Sequence, residues 1–292
     1  MESCLTRRMG ISKSITSNQI GKSQRLHETS NYKWLKNMNA KYIIEWTFTP
    51  DDYFEEPQQI KGDYYVMSIE NGKVKAEVEV EEENHLDGYQ ICNDLHQSLN
   101  NRFLGVQIMT HENYELSTPS LVKLLPDGRK NYYLKAKPIH LFIKGTNVDF
   151  QHRDKNGNIV ADTRRARIEK KKRNAERVAR YKAFDTVLET LVNSYHTAVK
   201  NPDYELVHLY EIRDALQKHF TGKDKTIHAL GLAEKDWDRL GTLANHEPIR
   251  QGRHVGQHIG NLRDATETEL KEARAIAFRM IEAYLGYLER KQ

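Results

Sequence analysis

The sequence contains few cysteines and no long apolar run, and each of these two features excludes a class of protein. Only two of the 292 residues are cysteine, Cys4 and Cys92, too few for a disulfide framework or a thiolate zinc site. No apolar run approaches the roughly 18 to 20 residues of a membrane-spanning helix, and the N-terminus lacks the apolar centre of a secretory signal. We therefore expect a cytoplasmic protein without membrane association, redox chemistry or structural zinc.

The sequence also lacks the motifs that hold common cofactors. It has no P-loop, no G-x-G-x-x-G fingerprint, no nucleophile elbow and no paired catalytic carboxylates. Gly145 and Gly157 are isolated glycines of the kind found in turns. The sequence thus predicts no cofactor and no metal.

Charge is abundant and unevenly distributed along the chain. The net charge of +4 divides into +5 for residues 1–40, −7 for 41–150 and +6 for 151–292. The 15 Tyr, 8 Phe and 3 Trp residues require a core, and the length suits about two domains. The polar leader, residues 1–40, has no sustained periodicity, so we expect it to be disordered or weakly attached. Whether the biological start is Met1 or Met38 stays open.

Residues 41–150 predict an acidic, mostly β domain that senses or binds an unknown ligand or protein trigger. We expect one helix at 88–104 and a tight hairpin at Asn71-Gly72. The strands are predicted at 42–48, 64–69, 74–80, 106–109, 120–125 and 132–136. The strand that alternates valine with glutamate and lysine is interpreted as a solvent-facing edge strand, with a protein-binding surface as the alternative.

Residues 151–162 form a predicted polar linker, after which the hydrophobic period becomes helical through residues 163–292. The expected helices are one long helix at 164–200, one at 202–220, a region at 224–245 broken near Gly231, and a terminal helix begun by a capping box at Thr266–Glu269. Four amphipathic helices with short links favour an antiparallel bundle. The predicted fold class is therefore a two-domain α+β protein.

A polar segment before the terminal helix contains Arg253-His254-Val255-Gly256-Gln257-His258. Five residues rotate an ideal helix about 140° past a full turn, so Arg253 and His258 do not share a helical face. The motif therefore suits a helix start or a bent segment. Histidine titrates near neutrality and guanidinium binds phosphate, so His258 can act as acid or base and Arg253 as a clamp in RNA cleavage.

The four-helix bundle, this arginine–histidine motif and a last helix with Glu-x-x-x-Ala spacing together resemble the HEPN domain (higher eukaryotes and prokaryotes nucleotide-binding). The resemblance spans about 163–290 and implies a metal-independent endoribonuclease of a prokaryotic defence or toxin system, regulated by the N-terminal domain. It also implies a homodimer formed through the bundle, with Arg253, His254 and His258 as the catalytic residues. The family more often has Asn where this chain has His254, which leaves the role of His254 open.

Two alternatives to this interpretation stay open. Arg253 and His258 could cap helices instead, and the protein would then be a non-catalytic RNA- or protein-binding dimeric module. His254 and His258 with His246 and Glu247 superficially resemble a zinc site, although Gly256 weakens the helix that would hold the pair.

A basic run at 163–182 contains ten cations and two anions. We interpret it as a surface that follows the RNA backbone, or alternatively as an ordinary solvated helix face. The predicted RNA-binding residues are Arg167, Lys170, Lys171, Lys172, Arg173 and Arg250. The aromatic residues Tyr181, Phe184 and Tyr195 are assigned to the core.

Overall fold

The computed structural model of the protein describes residues 39–81, 87–125, 129–133, 149–253 and 261–291. The fold is mixed α+β, with an N-terminal sheet followed by a largely helical part. None of the helices in the described ranges is long and apolar enough to cross a bilayer.

The strands of the N-terminal sheet are β1 (Asn39–Thr49), β2 (Gln58–Lys61), β3 (Tyr65–Glu70), β4 (Lys73–Glu81), β5 (Glu115–Leu116), β6 (Ser120–Leu124) and β7 (Lys130–Tyr133). All the pairings between them are antiparallel, in the order β2-β3-β4-β1-β6-β7, and β5 pairs with the end of β1. The long strand β1 lies at the centre, so the sheet is organised around it.

The β3–β4 hairpin turns at Asn71 and Gly72, which have φ angles of 46° and 74°. Both residues tolerate this left-handed conformation, so the predicted hairpin is confirmed. Along β4, the apolar residues are buried and the charged ones exposed, as the alternation predicts. The predicted edge position is wrong, however, because β4 lies between β3 and β1. Its acidic residues belong to the open face of an interior strand.

Helix α1 (Gly88–Thr110) continues through the predicted strand at 106–109, and that strand prediction is wrong. The indole of Trp46 on β1 donates to Nδ1 of His96 on one side of α1, at 3.0 Å. On another side, a Cβ on Gly105 would lie 2.5 Å from the Asn174 carbonyl oxygen. Because α1 is packed on several sides, its last turns at 103–109 are nearly all apolar and lack a one-sided helical period.

The segment predicted as a polar linker, residues 151–162, contains a hairpin of β8 (Gln151–Arg153) and β9 (Ile159–Asp162). The Asp154 carboxylate accepts the backbone N–H groups of Asn156 and Asn158 at 2.8 and 2.9 Å. This local Asp turn closes the hairpin without help from the core.

The remaining helices are α2 (Thr163–Tyr181), α3 (Thr186–Lys200), α4 (Glu205–His219), α5 (Lys223–Leu230), α6 (Glu234–Gly241) and α7 (Glu267–Lys291). The predicted single helix at 164–200 is wrong, because Asp185 interrupts it and accepts the Leu188 N–H at 2.7 Å as an N-cap. The break at Gly231 is confirmed, with a φ of 64°. The capping box of Thr266 and Glu269 is confirmed by reciprocal hydrogen bonds of 2.8 and 3.2 Å.

An ion-pair cluster joins the sheet to α2. The Glu55 carboxylate, in the turn after β1, lies 2.6 Å from Nζ of Lys171 and 2.7 Å from Nη2 of Arg167. Lys171 is only 3% exposed and also donates to the Tyr53 carbonyl oxygen, while Arg167 also pairs with Asp149. Buried residues of the sheet, α1 and the later helices form one hydrophobic core. The cluster therefore fixes α2 at the boundary of a continuous core.

We predict that Glu55 makes the protein acid-sensitive. Burial alone would raise the pKa of Glu55, but hydrogen bonds from Arg167 and Lys171 outweigh it and lower the pKa from 4.5 to about 2. The stabilisation, roughly 2 to 3 kcal/mol, is present above pH 4.5 and is lost as the pH falls toward 2. Urea unfolding of Glu55→Gln should show lower stability at pH 6 and a weaker loss down to pH 3. Replacing the exposed Glu79 by Gln is the control, and an equal effect there would contradict the assignment.

Candidate functional site

The segment that leads into the predicted motif is anchored at several points. Residues 242–246 form one π-helical turn after α6. The Arg253 N–H donates to the Ala244 carbonyl oxygen at 2.7 Å, and Ile249 forms a parallel bridge with Arg263 just before α7. These backbone bonds give Arg253 a defined position although no regular helix holds it.

Helix α4 supplies two contacts that orient the Arg253 side chain. Nη1 of Arg253 lies 2.9 Å from Oδ2 of Asp214, and its guanidinium carbon lies 4.6 Å from the centroid of the Tyr210 ring. Tyr210 and Asp214 are four residues apart and so share a helix face. The Arg253 side chain is 37% exposed, so it is oriented and still accessible to a ligand.

A second arginine uses the same tyrosine. The guanidinium carbon of Arg213 lies 5.0 Å from the ring centroids of both Tyr210 and Trp237. A Cβ on Gly241 would lie 2.0 Å from Nη1 of Arg213, so the missing side chain makes room for the guanidinium. Arg213 makes no hydrogen bond or ion pair with any residue that the structure describes. Aromatic rings hold this cation, and no carboxylate in the described part of the chain pairs with it.

We call Tyr210, Arg213, Asp214, Trp237 and Arg253 the arginine–aromatic cluster. It contains two guanidinium groups and one carboxylate, so its net charge is positive. Guanidinium N–H groups match phosphate oxygens in geometry and charge. The cluster is therefore suited to an anionic ligand such as a phosphodiester.

The structure describes one of the three predicted catalytic residues. Arg253 lies in the cluster, whereas His254 and His258 lie outside the described residues. For the zinc alternative, the Glu247 carboxylate lies 3.5 Å from Arg263 and 4.0 Å from Arg239. Within the described ranges, no group of three or more His, Cys, Asp or Glu side chains could hold a metal ion.

Three of the six predicted RNA-binding residues face carboxylates of the turn after β1. Arg167 and Lys171 belong to the ion-pair cluster at Glu55, and the buried Lys171 offers no exposed ammonium to a phosphate. Nζ of Lys172 lies 4.0 Å from Glu56. Hence this side of α2 uses its positive charge to bind the sheet.

The other three predicted RNA-binding residues are more accessible. Nζ of Lys170 lies over the Phe278 ring, 4.6 Å from its centroid, and Arg250 is 65% exposed beside Asp264. Arg173 is exposed, in a row on α2 that alternates arginine with glutamate: Arg165, Glu169, Arg173, Glu176 and Arg180. This row has mixed charge, which weakens the case for a continuous phosphate-binding surface.

Of the three aromatic residues predicted to lie in the core, two are buried and one is exposed. Tyr181 and Tyr195 are buried as predicted, but Phe184 is 90% exposed in the turn between α2 and α3. The sequence predicted none of four cluster members as site residues: Tyr210, Arg213, Asp214 and Trp237. The spacing of Tyr210, Arg213 and Asp214 on one helix was visible in the sequence, whereas their contacts with Trp237 and Arg253 depend on tertiary packing.

Comparison of the chain with protein-family models, with curated proteins and with solved structures finds no match. The function is therefore inferred from the geometry of the site and from the residues of the chain.

We predict that the Arg253–Asp214 pair contributes little to stability, because both side chains are more than a third exposed. Asp214→Asn should change the free energy of unfolding by less than about 1 kcal/mol. The matched comparison is Glu205→Gln, since Glu205 is 2% exposed and accepts from Arg274 at 2.6 and 2.8 Å. That change should cost about 3 kcal/mol in urea unfolding. A large loss for Asp214→Asn would show that Arg253 is a structural residue.

Proposed function

We propose that the protein is a metal-independent endoribonuclease and that the arginine–aromatic cluster binds the phosphate to be cleaved. The observation that carries this proposal is the half-exposed Arg253, oriented by Asp214 and Tyr210 and followed directly in sequence by His254. A preorganised cation beside a group that titrates near neutrality is what metal-free RNA cleavage requires.

The reaction needs two proton transfers and stabilisation of charge on phosphate. A base removes the proton from the 2′-hydroxyl, the 2′-oxygen bonds to phosphorus, and the bond to the 5′-oxygen breaks as an acid protonates that oxygen. The products are a 2′,3′-cyclic phosphate and a 5′-hydroxyl. In this proposal His258 moves a proton and Arg253 stabilises the charge on the phosphoryl oxygens.

The geometry of Arg253 leaves donors available for this role. Among the described residues, only Asp214 accepts from the Arg253 side chain, through Nη1, so the N–H groups on Nε and Nη2 remain for a phosphate. Arg213 adds a second positive charge that no described carboxylate neutralises. Together the two guanidinium groups would bind the substrate before the reaction. They would also bind the transition state, which carries more negative charge.

The proposal extends to the architecture. Helices α2, α3, α4 and α7, of 15 to 25 residues each, would form the HEPN-type four-helix bundle, with α5 and α6 as additions. A homodimer through this bundle would place two motif segments at one cleft. The N-terminal part would then regulate the reaction.

The first test measures single-turnover cleavage of a single-stranded RNA in excess EDTA. His258→Ala should lower the rate by about 100-fold or more while affinity stays within a few-fold, the usual contribution of a positioned acid or base. Arg253→Ala should lower both rate and affinity. The exposed His246, changed to Ala, is the control.

Three outcomes would contradict the proposal in different ways. Cleavage that requires magnesium or zinc would favour metal chemistry. An unchanged rate in His258→Ala would place the active site elsewhere. Tight RNA binding without any cleavage would support the non-catalytic RNA-binding module, which also uses the arginine–aromatic cluster.

The second test moves Arg213 without removing its charge. Gly241→Ala puts a methyl group where Nη1 of Arg213 now lies, so the guanidinium must leave its place between the rings. We expect RNA affinity to fall by roughly three- to tenfold, measured by fluorescence anisotropy, as one charged contact is lost. Gly286→Ala is the matched control, because the nearest atom to its Cβ is 3.5 Å away. Equal affinities for the two variants would exclude Arg213 from the site.

A further inference from the structure

A polar groove lies between α1 and the turn that joins α2 to α3. Its volume is about 670 Å³, within the range of small-molecule sites. It shares no residue with the arginine–aromatic cluster. The lining residues that bear on its chemistry are Asp94, Asn100, Asn101, Lys182, Phe184 and Glu189.

The groove is lined by side-chain amides. Asn101 carries one of them and is only 7% exposed. The neighbouring Asn100 accepts from the Tyr114 hydroxyl at 2.7 Å through Oδ1, and its NH₂ group has no acceptor among the described residues. The groove therefore offers both donors and an acceptor to a ligand.

An aromatic ring stands at the edge of the same groove. Phe184 is 90% exposed, and its backbone is fixed by a hydrogen bond of 3.1 Å from its N–H to the Tyr181 carbonyl oxygen. Its neighbours Ala179 and Ala183 are small, so a flat ligand can approach. An exposed ring beside side-chain amides is the combination that proteins use to stack and hydrogen-bond an unpaired base.

The charges of the groove select against an anion. Asp94 and Glu189 contribute two carboxylates against one ammonium, that of Lys182, which lies 3.7 Å from Glu189. Phosphate would meet excess negative charge here. Carboxylates are, by contrast, good acceptors for the hydroxyl groups of a ribose.

We propose that this groove binds an unphosphorylated ribonucleoside. The base stacks on Phe184, the Asn101 amide hydrogen-bonds the base edge, and a groove carboxylate accepts from the ribose hydroxyls. This site is separate from the proposed nuclease site and does not depend on it.

The test is titration calorimetry of the full chain with adenosine, guanosine, cytidine and uridine. At least one nucleoside should bind saturably, and its 5′-monophosphate should bind at least threefold more weakly. Phe184→Ala and Asn101→Ala should each weaken binding about tenfold. Phe150→Ala, which removes another phenylalanine that is 70% exposed, is the matched control and should bind normally. Arg253→Ala should also bind normally.

The proposal is overturned if none of the four nucleosides binds, or if free ribose or glucose binds as tightly as the best nucleoside. It is also overturned if Phe184→Ala binds as well as Phe150→Ala. Thermal unfolding of Asn101→Ala checks that this variant still folds when it loses binding. Phe184 is exposed, so Phe184→Ala tests binding without disturbing the core.

Discussion

The structure depends on the charged contact between Glu55 and α2. Glu55 has a φ of 67°, in the left-handed region, and this conformation belongs to the turn that directs its carboxylate at Lys171 and Arg167. A buried ammonium is costly without a partner, so Lys171 can be buried only when the turn after β1 and α2 come together. The sheet and the helices are therefore coupled in folding.

Contacts of α2 with α1 and α7 position the other helices. The close approach at Gly105 fixes α1 against α2, and Arg177 pairs with Glu289 of α7 at 2.8 and 2.9 Å. Helix α7 in turn packs against α4 and α6, the helices that carry four of the five residues of the arginine–aromatic cluster. The position of the cluster therefore depends on how α1, α2 and α7 pack, and not on α4 and α6 alone.

The protein uses its arginines and lysines in two different ways. On α2, the carboxylates of Glu55, in the turn after β1, and Asp149 neutralise the charge of Arg167 and Lys171, which then stabilise the fold. Around Tyr210, aromatic faces hold Arg213 and most of the charge remains available. A ring can orient a guanidinium without neutralising it, which a carboxylate cannot do. This difference, more than the number of cations, separates a structural basic helix from a site for an anion.

The sequence by itself determined the features that depend on neighbouring residues: the Asn71-Gly72 turn, the break at Gly231, the capping box at Thr266 and the alternation of β4. Tertiary structure decided the rest. Residues 106–109 resemble a strand because α1 is buried on several sides, and the acidic strand β4 is interior because β3 pairs with its other edge. Arg253 was visible as a candidate, but Arg213 and Trp237 joined it only through packing. Local patterns encode turns and caps, whereas partners distant in sequence are selected by the shape and charge of the assembled core.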